Sequence, residues 1–299
     1  MRIFLTGGSG HVGSAVLDAF VRAGHRVDVL VRNREKAAEV KAHGANPLLG
    51  DLAKPASYAA AAAAADGVIH TALDYSPRGP KLDAAAIDAF LMPLDIPGRF
   101  FIYTSGVWVI GPTRAPADES ACLDPAALSA WRVPHEQRVL DAASDGFRTA
   151  VVRPGIVYGG ARGFVADLFK DAANGLVRVI GSGENHWPLV YDRDLGDLYL
   201  RIAKNPAAGG LYHANDEGDE RVNDLVSAIA DHVPIVPSVR HVPIAEARQK
   251  IGALADALTL DQIVRSPRAR QLGWNPSLHS VARNAARLYE EWRRGKEAA

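Results

Sequence analysis

Thr6-Gly7-Gly8-Ser9-Gly10-His11-Val12-Gly13 is the stretch that decides the fold of this chain. A short apolar run, Arg2–Leu5, precedes it, and a helical pattern over Val12–Ala23 follows. A strand that passes through glycines into a helix brings unpaired backbone N–H groups and the positive end of the helix dipole to one point, where a pyrophosphate binds. The spacing Gly8-x-Gly10-x-x-Gly13 matches the dinucleotide fingerprint. We therefore predict nucleotide binding by this glycine loop (residues 6–13), with contacts from Gly7, Gly10, His11, Val12 and Gly13.

The end of the second predicted strand indicates which dinucleotide binds. An acidic residue there would accept hydrogen bonds from the ribose of NAD, but this chain has Val31-Arg32-Asn33-Arg34. The guanidinium of Arg32 suits a 2′-phosphate, which favours NADP and leaves NAD possible; the alternative is an ordinary surface charge. Asp51 ends the third strand, where its carboxylate bonds either the adenine amino group or the start of the next helix.

Composition limits the classes of protein to consider. The 299 residues carry no formal net charge and are 48% hydrophobic, which supports a large core and gives no reason to expect nucleic acid or an anionic membrane as partner. Cys122 is the only cysteine, so no internal disulfide forms, and a cytoplasmic location is expected. No apolar run approaches the roughly 20 residues that span a bilayer. The ten histidines are scattered, so no metal site is predicted.

Strand-like and helical patterns alternate through the first half, which predicts an α/β fold with a Rossmann-like doubly wound parallel sheet. The strand-like runs are Arg2–Leu5, Arg26–Val31, Pro47–Leu49, Gly67–His70, Arg99–Tyr103 and Arg148–Val152. The helical patterns are Val12–Ala23, Arg34–His43, Ser57–Ala65, Lys81–Met92, Pro125–Ala143, Phe164–Ala173, Asp192–Lys204, Val222–Asp231 and Ser277–Arg294. We assign residues 1–153 to an NAD(P)-binding Rossmann domain. Residues 154–299 supply the remaining strands and a small C-terminal substrate-binding lobe, interleaved with the first part into one structural unit.

Short motifs follow the glycine loop in a fixed order. They are Gly50-Asp51-Leu52, His70-Thr71-Ala72, Tyr103-Thr104-Ser105-Gly106, Val152-Arg153-Pro154-Gly155, Leu189–Leu195 and Gln271–Pro276. With these motifs the chain resembles the extended short-chain dehydrogenase/reductase family, in its NAD-dependent epimerase/dehydratase branch. The resemblance implies hydride transfer with NAD(P). It also implies further cofactor contacts from Asp51, Leu52, Thr71, Ala72, Thr104 and Pro154.

In that family a Tyr-x-x-x-Lys pair follows the fifth strand, with tyrosine as the general acid/base and lysine holding the nicotinamide ribose. This chain has no tyrosine between Tyr103 and Tyr158, and no lysine between Lys81 and Lys170. By spacing, Trp131 and His135 could occupy the two positions. Aligning Glu136 with the family pattern instead puts Leu128 and Arg132 there.

The missing pair leaves the acid/base open. His135 has a free pKa suited to proton transfer, although a histidine within a helix is more often a surface or cap residue. The family's hydroxyl position can fall on Gly106, which leaves Thr104 or Ser105 as substitutes, and the phenol of Tyr158 is a further candidate.

Trp131, Tyr158 and the segment Asn185-His186-Trp187 are the predicted substrate contacts, because amide, imidazole and indole groups suit an oxygen-rich or aromatic ligand. The alternative is a structural loop anchored by Trp187.

Two functions follow from these residues. One is an NAD(P)-dependent oxidoreductase or epimerase-like protein that acts on a small carbonyl, alcohol or sugar-like substrate with a non-standard acid/base. The other is a non-catalytic NADP-binding sensor or regulatory protein. A homodimer is possible, since the helical patterns at Lys81–Met92 and Pro125–Ala143 resemble those that pair in family dimers.

Overall fold

The computed structural model describes residues 1–92 and 98–297. Its strands are β1 (Arg2–Thr6), β2 (Arg26–Val31), β3 (Asn46–Leu49), β4 (Gly67–His70), β5 (Arg99–Thr104), β6 (Phe147–Pro154), β7 (Ile156–Tyr158), β8 (Leu176–Ile180), β9 (His186–Trp187), β10 (Leu189–Tyr191), β11 (Gly210–Ala214), β12 (Glu220–Arg221) and β13 (Ser238–Val242). Its α-helices are α1 (His11–Arg22), α2 (Arg34–Ala42), α3 (Ala59–Ala63), α4 (Gly79–Leu91), α5 (Arg132–Asp141), α6 (Phe164–Ala173), α7 (Asp192–Lys204), α8 (Val222–Ala230), α9 (Ile244–Ile251), α10 (Leu254–Leu258), α11 (Pro267–Gln271) and α12 (Ala285–Glu297).

Seven parallel strands form the central sheet in the order β11-β6-β5-β4-β1-β2-β3. Most side chains of β1, β2, β4, β5 and β6 are buried on both faces, as expected for a parallel sheet covered by helices, whereas the edge strand β3 is largely exposed. One face packs against α1 and α7, and the other against α3, α4 and α5. The predicted Rossmann-like doubly wound sheet is confirmed. The strand order reverses between β1 and β4, so the carboxyl ends of these two strands open the crevice where ligands bind in such folds.

The rest of the chain contributes to both the sheet and a second core. β11 extends the central sheet beyond β6, whereas three two-stranded sheets, β7 with β10, β9 with β12 and β8 with β13, surround a separate apolar cluster. That cluster is built mainly from α6, α8, α12 and the strands beside them. Among the described residues, no helix is long and apolar enough to cross a membrane.

Three predicted helices are markedly shorter in the structure. The pattern Pro125–Ala143 becomes a helix only from Arg132, because Pro134 lacks an N–H and is tolerated in the first turn of a helix but not in its interior. The pattern Ser277–Arg294 becomes α12 only from Ala285, since the carboxylate of Glu220 accepts the N–H groups of Val281 and Ala282 and holds a separate turn there. The pattern Ser57–Ala65 shortens to α3, which follows a 3₁₀ turn over Pro55–Ser57.

Candidate active site

The glycine loop folds back against the end of β4. Gly7 has φ +76°, and a Cβ at this position would lie 2.6 Å from the Ala72 nitrogen. Gly10 N–H donates to the Gly7 carbonyl at 2.8 Å, which closes the turn. A Cβ on Gly13 would lie 2.6 Å from Thr71 Oγ1. Glycine is therefore required at positions 7 and 13 by conformation and by close packing.

The start of α1 presents free donors to the crevice. The first helical hydrogen bond runs from Ser14 N to the Gly10 carbonyl, and Gly10 provides no side-chain cap. The N–H groups of His11, Val12 and Gly13 therefore lack an intrahelical acceptor. A pyrophosphate fits this end of the helix, because the donors and the helix dipole both favour an anion. The chain's own residues are thus suited to the phosphates of a dinucleotide.

The His11 ring packs under the loop that follows β7. A Cβ on Gly163 would lie 2.9 Å from His11 Cε1, and burial lowers the pKa of His11 to about 4, so the ring is neutral at physiological pH. Arg162 from the same loop donates to the Ser9 carbonyl at 2.7 Å and approaches Glu39 of α2 at 3.3 Å. Sequence reasoning missed Arg162, because nothing local marks its contact with a loop that lies 153 residues earlier.

Arg32 is exposed at the end of β2, and Asn33 accepts the Lys36 N–H at 2.8 Å to cap α2. Hydrogen bonds from Ser76, with smaller contributions from the positive charges of Arg32 and Arg78, lower the pKa of Asp74, which follows β4. This charge suits a phosphate better than a pair of ribose hydroxyls. Asp28 is occupied elsewhere, since its carboxylate bonds Arg2 at 2.6 Å and Asn46 at 3.1 Å.

The remaining predicted cofactor residues lie at or just after the carboxyl ends of β3, β4 and β6. Asp51 Oδ1 accepts the Ala53 N–H at 2.9 Å, so one carboxylate oxygen caps the local turn. Leu52 packs against the core beneath it. Thr71 Oγ1 donates to the Thr6 carbonyl at 2.7 Å. Pro154 ends β6, opposite Ala214 of β11.

Two hydroxyl candidates at the end of β5 differ in their partners. Thr104 Oγ1 lies 2.7 Å from the hydroxyl of the buried Tyr199 on α7. Ser105 is 6% exposed, its N–H donates to the Val152 carbonyl, and its hydroxyl has no hydrogen-bond partner in the described part of the chain. A buried hydroxyl without a partner costs free energy unless a ligand or water satisfies it. Ser105 is thus the better suited of the two to receive a ligand.

Arg132 reaches the same strand end from α5. Its Nη1 donates to the Thr104 carbonyl at 3.0 Å and to the Tyr103 hydroxyl at 3.3 Å. Four residues later, Glu136 forms a buried ion pair with Arg153 of β6. Two alignments were open for the missing Tyr-x-x-x-Lys pair. The alignment that puts Leu128 and Arg132 in these positions brings the Arg132 side chain to the end of β5. Leu128, in the tyrosine position of that alignment, lies 40% exposed in the turn before α5.

The other alignment puts Trp131 and His135 in the tyrosine and lysine positions, and in the structure these two side chains contact other groups. His135 Nδ1 lies 2.7 Å from Asp83 Oδ2 of α4, so the ring faces the interface between α4 and α5. Trp131 Nε1 donates to the Leu128 carbonyl at 3.0 Å. The Arg132 guanidinium stacks over the Trp131 ring, with its Cζ 4.5 Å from the ring centroid. Trp131 therefore supports the position of Arg132 by a cation–π contact.

Tyr158 is fully buried, and its hydroxyl donates to Asp216 Oδ2 at 3.1 Å. Burial and the neighbouring Asp216 raise the pKa of Tyr158 far above its usual value. A phenol that is shielded from solvent and already hydrogen-bonded is a poor proton donor to a ligand.

The predicted substrate segment is hydrogen-bonded within the lobe. Asn185 Nδ2 donates to the Leu258 and Leu260 carbonyls at 3.1 Å, and Trp187 Nε1 donates to the Leu258 carbonyl at 2.9 Å. His186 Nδ1 lies 2.7 Å from Asp261. Phe164 lies 6.4 Å from Trp187 and 6.2 Å from Trp108 between ring centroids, so the three rings form an aromatic cluster packed against the second apolar core. Sequence reasoning missed Trp108, although its place just after β5 was a usable signal.

Comparisons with known proteins identify the relatives and the fold of this chain. Residues 7–91 match the NAD(P)H-binding family model. An uncharacterized protein of Schizosaccharomyces pombe is 34% identical over 289 residues, which cover 94% of this chain and 96% of the relative. A 4-hydroxy-2-methyl-3-oxo-4-farnesyl-3,4-dihydroquinoline-1-oxide ketoreductase of Stigmatella aurantiaca is 28% identical, over 83% of this chain and 78% of the relative.

A solved UDP-glucose 4-epimerase of Thermus thermophilus, in complex with NAD, has the same fold. Its TM-score is 0.81 at 18% identity, and the match covers 98% of this chain and 99% of that chain. The resemblance inferred from the motifs is confirmed: the chain belongs to the extended short-chain dehydrogenase/reductase family, in its NAD-dependent epimerase/dehydratase branch.

Proposed function

We propose that this protein is an NADP-dependent oxidoreductase that reduces a ketone, with Arg132 and Ser105 as the groups that contact the reacting oxygen. One observation carries the proposal. The Arg132 guanidinium bonds the Thr104 carbonyl at 3.0 Å, next to Ser105, whose buried hydroxyl has no partner in the described residues. A cation and a free donor thus meet at the carboxyl end of β5, beside the crevice that suits a dinucleotide.

When bound, NADPH would supply the hydride needed to reduce the substrate carbonyl to an alcohol. The Ser105 hydroxyl donates a hydrogen bond to the substrate carbonyl, and Arg132 stabilises the negative charge that develops on its oxygen. Arg132 stays protonated and cannot act as a base. Water therefore supplies the proton that completes the alcohol. Preorganised donors of this kind contribute about 10²–10³ in rate each.

The cofactor preference rests on Arg32, which is exposed directly after β2. A guanidinium pairs with a 2′-phosphate and gains nothing from a ribose hydroxyl pair. Arg32→Glu should weaken NADPH binding far more than NADH binding in fluorescence titrations. An equal loss for both nucleotides would remove the preference for NADP.

The substrate proposed for this site is a ketone with an apolar or aryl body. The aromatic faces of Trp108 and Phe164 support this, since the polar groups of Asn185 and Trp187 are bonded within the lobe. The Stigmatella aurantiaca relative is, by its name, a ketoreductase of a farnesylated quinoline oxide, which is a ligand of the same chemical kind.

The test is NADPH oxidation, followed by its absorbance, against a panel of aryl and long-chain alkyl ketones. Arg132→Ala and Ser105→Ala should each lower kcat, by roughly the 10²–10³ that one oxyanion donor contributes. Thr104→Val, whose hydroxyl bonds Tyr199, is the matched control and should retain far more activity. Tight NADPH binding without turnover of any ketone would favour the sensor function instead.

A further inference from the structure

A buried carboxylate lies behind Arg132. Asp83, on α4, accepts hydrogen bonds from the Tyr103 hydroxyl at 2.9 Å and from His135 Nδ1 at 2.7 Å, both on Oδ2. Its Oδ1 lies 3.1 Å from His70 Nε2. We call these residues, with Arg132, the Asp83 network. Asp83 is only 4% exposed, and Tyr103 and His70 are almost fully buried.

The sheet register brings these side chains to one face. Thr6 of β1 is opposite His70 of β4, and His70 is opposite Tyr103 of β5, so the three residues form a row at the carboxyl edge. Helices α4 and α5 cover this face. Thr6 Oγ1 lies 2.5 Å from His70 Nδ1 and extends the network to the first residue of the glycine loop.

Asp83 is a charged group in this site. Burial alone would raise its pKa, but the hydrogen bonds from His135 and His70 outweigh burial and lower the pKa well below its usual value. The positive charge of Arg132 acts in the same direction. A buried carboxylate is stable only when it is paired and hydrogen-bonded, as here.

Tyr103 joins the two charges. Its hydroxyl donates to Asp83 and accepts from Arg132 Nη1 at 3.3 Å, so the order is carboxylate, phenol, guanidinium. The same Nη1 also reaches the Thr104 carbonyl. Arg132 has several side-chain torsions that would otherwise be free, and two fixed acceptors select one orientation.

We propose that Asp83 is a positioning residue: through Tyr103 it holds the Arg132 guanidinium at the end of β5, facing the bound cofactor and substrate. This inference rests on the proposed function, because it assigns a support to one of that site's two contact groups. Without this relay through Tyr103, the guanidinium keeps only the Thr104 carbonyl and the ring face of Trp131, and it loses the second acceptor that fixes its orientation.

The test combines Tyr103→Phe, Asp83→Asn and Arg132→Ala, with NADPH affinity and ketone kinetics as readouts. Tyr103→Phe keeps the buried ring and removes only the hydroxyl. Tyr103→Phe and Asp83→Asn should each weaken NADPH binding or lower kcat by about tenfold, the equivalent of one hydrogen bond to a charged group. The ketone KM should stay unchanged. Tyr103→Phe added to Arg132→Ala should have no further effect, because the relay then has nothing to position.

Asp88→Asn is the matched control, since Asp88 also joins α4 to α5 by an ion pair, with the exposed Arg138, but does not contact Tyr103. It should leave NADPH affinity and kcat unchanged. Wild-type behaviour of Tyr103→Phe, or additive losses in the double variant, would overturn the proposal. Should no ketone be reduced by the wild type, NADPH affinity still reports on the relay. Should the relay fail while ketones are reduced, the proposed function stands without it.

Discussion

Replacing Glu136 by glutamine should remove about 3–5 kcal/mol of the free energy of unfolding, the usual cost of leaving one partner of a buried ion pair alone. Glu136 and Arg153 are 2% and 3% exposed. Arg153 Nε lies 3.0 and 3.1 Å from the two carboxylate oxygens, and Nη2 lies 2.5 Å from Oε2. Glutamine would turn an N–H donor toward the donors of Arg153, so the guanidinium would lose charge compensation and at least one acceptor.

The expected change in melting temperature follows from the size of the chain. Unfolding entropies near 2.1 cal/mol/K per residue give about 0.6 kcal/mol/K for 299 residues, so the loss corresponds to about 5–8 °C. Thermal melts by circular dichroism, with urea unfolding at room temperature, would measure it. Asp197→Asn is the control: it breaks the exposed pair with Arg201 on α7 and should cost under about 1 kcal/mol.

A melting temperature for Glu136→Gln equal to that of the Asp197 control would refute the reasoning. The pair would then contribute no folding free energy despite its burial. The double replacement Glu136→Leu with Arg153→Met supplies a second check. Apolar residues of similar volume often match or exceed a buried ion pair, so the double variant should be more stable than Glu136→Gln.

Three further changes have defined outcomes. Gly13→Ala should abolish NADPH binding in a fluorescence titration, because the new Cβ would meet Thr71 Oγ1 at 2.6 Å; wild-type affinity would contradict the packing described. His135→Ala should lower the melting temperature yet retain ketone reduction, since His135 faces Asp83, and complete loss of turnover would return the acid/base role to this histidine. Burial raises the pKa of Asp216 from 3.8 to about 7, so the folded state keeps a proton that the unfolded state loses, and stability falls as pH rises through that window. Asp216→Asn should flatten this slope, of about 1.4 kcal/mol per pH unit, in urea unfolding from about pH 4 to about pH 8.

Local physics made the sheet and several helices predictable. β2 and β4 coincide with their predicted ranges because both are rich in β-branched apolar residues, with Val27, Val29 and Val31 in β2 and Val68 and Ile69 in β4. α6 and α7 also begin and end where predicted, since their amphipathic pattern is bounded by turn residues. The predicted start of α5 is wrong because Pro134 lacks an N–H and fits only the first turn of a helix, so α5 begins at Arg132.

In the candidate site, too, local features were predictable from the sequence and long-range contacts were not. The glycine loop was predictable, because its conformation and donors are encoded within eight consecutive residues. The sequence does not show which of the candidate hydroxyls lacks a hydrogen-bond partner. The Thr104 hydroxyl is hydrogen-bonded to Tyr199, and the Tyr158 hydroxyl is hydrogen-bonded to Asp216. These partners lie 95 and 58 residues further along the chain. Long-range contacts of this kind appear only when the fold brings the strands and helices together.

Arginine at position 132 changes what the site can do. A lysine one turn after a tyrosine lowers the tyrosine pKa and so supports proton transfer, which contributes about 10²–10⁴ in rate. Arg132 follows an exposed leucine in that register, and it stays charged at every physiological pH. It can therefore contribute only by stabilising negative charge, and such stabilisation is effective when the cation is fixed before the reaction begins. A buried network that fixes one guanidinium between Tyr103 and the Thr104 carbonyl meets this requirement. Under the proposed function, the site therefore works by electrostatics, and solvent supplies the proton.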